Sequence, residues 1–187
     1  MATLPTLQPT LWRSCRALAN RRRLQIFSLL VHKRSLTVSV VAQRLKLALP
    51  VASQYLRGLE ARGFLKAQRV ADRVYYSLSA ADALRPAQLL VPALRVALPG
   101  DSGSVEKVFK LATAFTHPRR IEIFRALERG GRTVGQLRAL TGISRYALGR
   151  HLAKLEARGF VVSRAGSYAV ARPRDGFGRA LARLAGG

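Results

Sequence analysis

Residues 47–64 read LALPVASQYLRGLEARGF, and residues 143–160 return the stretch in altered form as ISRYALGRHLAKLEARGF. Both end on the same six residues, Leu59-Glu60-Ala61-Arg62-Gly63-Phe64 and Leu155-Glu156-Ala157-Arg158-Gly159-Phe160, so the register of an internal repeat is set before any fold is assumed. In the first copy Val51, Ala52, Leu56 and Leu59 recur at helical spacing, and Gly63 stands where a left-handed C-cap ends a helix. From Phe64 the period changes to that of strands: Leu65, Ala67 and Arg69, then Val74-Tyr75-Tyr76-Ser77-Leu78, flank a turn at Val70-Ala71-Asp72-Arg73. The second copy also leads into a hairpin, a shorter one over 161–170 with Ala165-Gly166 as its turn.

Upstream of each copy the pattern is helical. Leu11, Trp12, Cys15, Leu18 and Ala19 lie on one face of a first helix, with Thr10 as its candidate N-cap; Asn20-Arg21-Arg22-Arg23 opens a second; Ser35-Leu36-Thr37-Val38 opens a short third. Their counterparts are residues 108–112, His117-Pro118-Arg119-Arg120 and Thr133-Val134-Gly135-Gln136-Leu137. Pro118 suits the first turn of a helix, and Gly142-Ile143-Ser144 supplies a Gly turn followed by a Ser N-cap. Arg119 lies 97 residues after Arg22 whereas Phe160 lies 96 after Phe64, so one residue is lost between, at the Glu128-Arg129-Gly130-Gly131 turn. Residues 80–98 are apolar and read as short helical pieces limited by Pro86 and Pro92, residues 99–104 as a flexible joint, and residues 175–185 as an amphipathic closing helix with Phe177, Ala180, Leu181 and Leu184 on one face.

The order helix, helix, helix–turn–helix, hairpin is that of a winged helix-turn-helix. The segments ALANRRRLQIFSLL, LTVSVVAQRLKL, SQYLRGLEARGFL and RVYYSL, taken in this order, resemble the ArsR-type (ArsR/SmtB-like) winged-helix regulators, and the second copy matches more sharply through His117-Pro118-Arg119-Arg120 and Gly142-Ile143-Ser144. The expected fold is mainly α with small β-hairpin wings, as tandem winged helix-turn-helix domains over 11–78 and 105–171. Residues 1–10 are a lead-in, 79–104 a connecting helix and joint, and 172–187 a C-terminal helix. In the family the first and last helices of each unit make the dimer interface, so the resemblance implies an intramolecular pseudo-dimer, with a further homodimer left open.

Charge points to the partner. Lys and Arg number 33 against 9 Asp and Glu, a net +24 over 187 residues, and such a field draws polyanions. It is not a tail: residues 1–78 hold 14 basic and 2 acidic residues, and residues 105–171 hold 13 and 4. Double-stranded DNA is the expected partner, with no membrane. The apolar stretch 89–98 is interrupted by Pro92 and Arg95 and is too short for a bilayer, the N-terminus does not read as a signal peptide, and a cytoplasmic location is expected.

The second helix of a helix-turn-helix presents its N-terminal residues to base edges. In the second unit these are Arg145, Tyr146, Gly149 and Arg150, followed by His151; Arg145 and Arg150 are read as forking to guanine or holding phosphate. His151 reads as packing on the DNA backbone or the core edge rather than as a pH switch. The first unit offers Ser53 and Gln54, but Ala48 replaces the Ser cap and Leu49-Pro50 carries no side-chain donors, so its longer wing, with Arg69 and Arg73, is expected to grip DNA instead. Arg164 belongs to the short second wing. Arg22, Arg23, Arg119 and Arg120 are read as phosphate contacts or solvated charge.

Neither metal nor catalysis finds support. The segment that carries cysteines in metal-binding family members falls on 36–42 and 133–138, neither of which has a Cys; Cys15 is the one cysteine. No paired carboxylates, P-loop or Rossmann glycines occur, so no cofactor and no enzyme activity are expected. Besides a regulator that represses by occupying its site, two other readings stand: sequence-independent nucleic-acid binding, for which the charge suffices, and a protein-interaction module, suggested by Leu49-Pro50-Val51.

Overall fold

The computed structural model describes residues 10–79, 86–98 and 102–187. The lead-in over 1–9, the start of the connecting stretch over 80–85 and residues 99–101 of the joint lie outside them. The first half runs α1 (Leu11–Leu18), α2 (Arg21–His32), β1 (Leu36–Thr37), α3 (Val38–Leu45), α4 (Leu49–Glu60), β2 (Leu65–Val70), β3 (Arg73–Leu78) and α5 (Ala87–Ala97). The same order follows with α6 (Ser102–Ala112), a 3-10 turn (Thr113–Phe115), α7 (Pro118–Glu128), β4 (Arg132–Thr133), α8 (Val134–Thr141), α9 (Arg145–Glu156), β5 (Val161–Arg164), β6 (Ser167–Val170) and α10 (Gly176–Gly186). The chain is thus mainly helical with two small antiparallel sheets, ordered β1-β3-β2 and β4-β6-β5.

Local chemistry explains the boundaries. Asn20 accepts from the Arg23 amide, and Thr37 and Thr133 accept from Val40 and Gln136, satisfying amides that the first helical turn leaves open. Gly63 and Gly159 adopt φ of 73° and 75°, turning the chain so that the amides of Phe64 and Phe160 reach back to the carbonyls of Leu59 and Leu155, each at 3.0 Å. Each Phe then points into the core. Phe27 meets Phe64 edge-on at 6.5 Å, and Phe124 meets Phe160 at 6.4 Å. Burying such a ring contributes roughly 1.5–3 kcal/mol, so the shared LEARGF ending is first of all a folding instruction.

Three expectations change. Leu36–Thr37 and Arg132–Thr133 do not simply open helices: Leu36 pairs with Tyr76 and Arg132 with Tyr168, which adds a third strand to each hairpin. A two-residue strand carries no periodicity of its own and is made by the neighbour it pairs with. Among the described residues of the connecting stretch, Ala87–Ala97 form one helix, α5, that runs through Pro92. The ring removes one backbone hydrogen bond, but Leu90, Val91 and Leu94 are buried and α5 packs lengthwise on α10, so apolar burial holds the helix together. Ser102-Gly103-Ser104, read as part of the joint, forms the first turn of α6, where open amides make small residues tolerable; Val105 and Val108 anchor that helix in the core.

The halves share one apolar core. Besides α5 on α10, α2 packs on α6, and α1 packs on α6 and the 3-10 turn. At the exposed edge of this seam Arg21 forks to Glu106, Nε to Oε2 at 2.7 Å and Nη2 to Oε1 at 2.9 Å, with its guanidinium 3.9 Å from the Phe109 ring centroid.

Candidate nucleic-acid interface

Helix α9 is the best-made candidate for contact with a polyanion. Thr133 and Gln136 form a reciprocal capping box at the start of α8, and Gly142 ends that helix at φ 64°. Thr141 Oγ1 donates to Leu137 O at 2.7 Å and accepts from the Ile143 amide at 3.3 Å, fixing the turn; Ser144 Oγ then accepts from the Ala147 amide at 3.4 Å and starts α9. Leu148, Leu152 and Leu155 are fully buried, which forces Arg145, Tyr146, Gly149 and Arg150 outward. Tyr146 is 77% exposed, an unusual cost for an aromatic ring with no partner to cover it, and the Arg150 guanidinium lies 5.9 Å from its centroid. A Cβ added at Gly149 would meet nothing within 4 Å, so this stretch of helix is open to close approach.

Along the same helix Ala147, Arg150, His151 and Lys154, with Ala157 and Arg158 just past its end, form a stripe that faces the start of α7. With His117 and Arg120 they line a cleft of about 860 Å³ that has no acidic residue among its described walls. The His117 and His151 rings stand 4.8 Å apart, tilted by 41°. Desolvation, and then Arg120 and Arg119, hold the His117 imidazole below the ordinary histidine range; desolvation, His117, Arg120, Arg150 and Arg119 do the same for His151. Lys154 is depressed by desolvation and by Arg158 and Arg120. All three shifts arise first from desolvation and then from neighbouring positive charge.

The first unit differs. Ala48 caps α4 with no side-chain hydrogen bond and Pro50 sits in the first turn; Ser53 is half-buried, Gln54 is exposed, and Leu49 is 55% exposed. In the wing Arg69 pairs in register with Val74 and Val70 with Arg73, so Arg69 and Arg73 stand on opposite faces of the hairpin and make no common patch. Both are exposed, and Arg73 has only a 4.0 Å contact to Asp72. Arg164 is exposed beside the tight Ala165-Gly166 turn, φ 46° and 77°, of the shorter wing.

The helix-2 arginines divide two by two. Arg22 and Arg119 are exposed and bond Gln25 and Glu122, at 3.1 and 2.8 Å. Arg23 and Arg120 are not solvated charge: Arg23 Nη1 donates to Ala17 O at 3.4 Å, and 97 residues on Arg120 Nε donates to Ala114 O, while its Nη2 donates to Thr113 O at 3.2 Å and Thr116 Oγ1 at 2.6 Å. Each caps the carbonyl end of the preceding element. Beside them Arg158 Nε donates to Thr113 Oγ1 at 2.9 Å, tying the end of α9 to the same turn. Sequence reasoning also missed His117, Lys154 and Arg158 as neighbours of His151; the spacing 147, 150, 151, 154, 158 along one helical face was the available signal.

Among the described residues no three His, Cys, Asp or Glu side chains gather as a metal site, and no helix is long and apolar enough to cross a membrane. Burial pushes the Cys15 thiol far above the ordinary thiol range.

A capped helix-turn-helix backed by a three-stranded wing defines the class: a winged helix-turn-helix protein. Residues 115–164 match a family model described as a helix-turn-helix domain. The transcriptional activator HlyU of Vibrio cholerae serotype O1 (strain ATCC 39315 / El Tor Inaba N16961) is 35% identical over 75 residues, 40% of this chain and 68% of that protein. Solved structures of HlyU from Vibrio cholerae N16961, one of them of the reduced protein, are 31% identical, cover 43% of this chain and 80% and 83% of theirs, and have a TM-score of 0.36. The chain belongs to the ArsR-type winged helix-turn-helix family.

Proposed function

We propose that the chain is a DNA-binding transcriptional regulator that lays the N-terminal face of α9 in the major groove. The observation that carries this reading is the outward set Arg145, Tyr146, Gly149 and Arg150 on a helix whose opposite face is locked by Leu148, Leu152 and Leu155. Arg145 and Arg150 read guanine edges or hold phosphate, and His151 packs toward the backbone. Units 11–78 and 105–171, joined by 79–104 and closed by 172–187, act as a covalent pseudo-dimer; the packing of α5 on α10 and of α1 on α6 supports this arrangement. The first unit adds grip through Ser53, Gln54, Arg69 and Arg73, and Arg164 extends the second. Binding as one asymmetric body, the protein represses by occupying its site, in the cytoplasm.

Genome-wide mapping of bound fragments supplies the operator, and the test is then Arg150→Ala. Affinity for operator should approach that for random duplex, a loss of about 1–3 kcal/mol of discrimination; an unchanged specificity ratio rejects the role given to Arg150. A protein-interaction role for the first unit is favoured by one observation, the exposed Leu49-Pro50 at the start of α4. Retention of full duplex affinity after Ser53→Ala, Gln54→Ala, Arg69→Ala and Arg73→Ala together would favour it.

A further inference from the structure

The geometry points to the cleft between α7 and α9 as a proton-coupled site for a DNA backbone phosphodiester, in which His151 takes up a proton as the phosphate docks. This rests on the DNA-binding reading and adds to it a ligand group and a linkage to pH.

Three observations lead there. The cleft is walled by His117, Arg120, Arg150, His151, Lys154 and Arg158, with no carboxylate among the described lining residues, so in the free protein its positive charge has no counter-charge. Its position is also suitable: the stripe 147, 150, 151, 154 shares Arg150 with the outward set and continues to Arg158 just past the end of α9, beside the face given to the major groove. Finally, the two imidazoles stand 4.8 Å apart between centroids, and His117 Nδ1 accepts from the Arg119 amide at 3.1 Å, so His151 is the ring that can gain a proton without breaking the cap of α7. The neighbouring cations are, from α7, Arg119, itself paired with Glu122, and Arg120, and from α9, Arg150 and Lys154, with Arg158 in the turn just past its end. The 3-10 turn beneath carries no charged residue, and α1 brings only the buried neutral thiol of Cys15 near Arg120.

The sign follows from the two states. Without DNA, desolvation and the surrounding arginines keep both rings neutral at pH 7. A phosphate oxyanion in the cleft reverses the field and favours the imidazolium form of His151. The complex therefore binds more protons than its parts, and affinity rises as pH falls toward the ordinary histidine range and is lost as pH rises through the bound-state value.

The chain contains its own comparison. By register Asn20 stands for His117 and Tyr55 for His151, and Lys154 is replaced by Gly58. There Asn20 accepts from the Arg23 amide and the Arg23 guanidinium lies 5.6 Å from the Tyr55 centroid, an arrangement without an imidazole. His117→Asn with His151→Tyr thus installs residues that the first unit already accommodates.

The test uses the full chain and a fluorescent duplex of mixed sequence, with Kd measured by anisotropy at constant ionic strength between about pH 6 and pH 8, the window in which histidine changes charge. For the wild type, log Kd should rise with pH with a slope of up to about 1, roughly ten-fold in affinity per pH unit for one proton taken up. The double variant should lose most of that slope. Equal slopes overturn the inference while leaving DNA binding intact, and absence of duplex binding at every pH overturns both. Histidine proton NMR at fixed pH separates two sources of the anion. Imidazole signals displaced by duplex but not by inorganic phosphate at matched ionic strength support the assignment, and equal displacement by inorganic phosphate alone overturns it.

Discussion

Arg120→Ala is expected to destabilise the fold, whereas Arg119→Ala, one residue away, is not. Arg120 is half-buried and its guanidinium serves three acceptors, Thr113 O, Ala114 O and Thr116 Oγ1. Alanine leaves two carbonyls at the end of the 3-10 turn without their donor. A hydrogen bond from a charged group contributes about 1.5–3 kcal/mol; discounting three such bonds for partial exposure and for the guanidinium's own desolvation leaves a net loss of roughly 2–4 kcal/mol. In a chain of this size that corresponds to a fall of about 4–16 °C in Tm. Arg119 makes one exposed ion pair with Glu122 at 2.8 Å, worth less than about 1 kcal/mol. Urea unfolding followed by circular dichroism gives both midpoints and checks that the m-value is unchanged. Arg120→Lys should recover little, since an ammonium cannot reproduce the fork. If Arg120→Ala loses duplex affinity but unfolds at the same urea concentration as Arg119→Ala, Arg120 is a surface contact and its capping role is wrong.

Two further outcomes follow from the same geometry. Gly149→Ala should raise stability by about 0.5–1 kcal/mol, because an exposed helix interior gains from the lost glycine freedom and the new Cβ meets nothing within 4 Å; duplex affinity should fall, and a stabilised variant with full affinity would remove Gly149 from the interface. Cys15 is fully buried with its thiol held protonated, so a thiol reagent at mildly alkaline pH should label it at the rate of unfolding, a result that fast labelling of the native protein would contradict.

Much of the fold was legible because it is local. Gly63 and Gly159 end helices through their own backbone freedom, Thr133, Gln136 and Ser144 cap amides three residues away, and Ala165-Gly166 closes a hairpin on itself. What escaped depends on partners distant in the chain. Leu36 needs Tyr76 to become a strand, Pro92 needs α10 beneath its helix to be tolerated, and Arg120 is a capping group only because α7 folds back over the 3-10 turn. The candidate site divides in the same way: Arg145, Tyr146, Gly149 and Arg150 are adjacent on one helix, while His117 and His151 stand 34 residues apart and meet only across α7 and α9.

The repeated LEARGF ending, the helix order and the excess of arginine were therefore set by the sequence alone, since caps, periodicity and net charge act within a few residues or on the chain as a whole. Tertiary structure decided which of the arginines hold the fold and which face solvent. It also decided that two histidines would share one cleft of positive charge, because burial and local field arise only when distant segments pack.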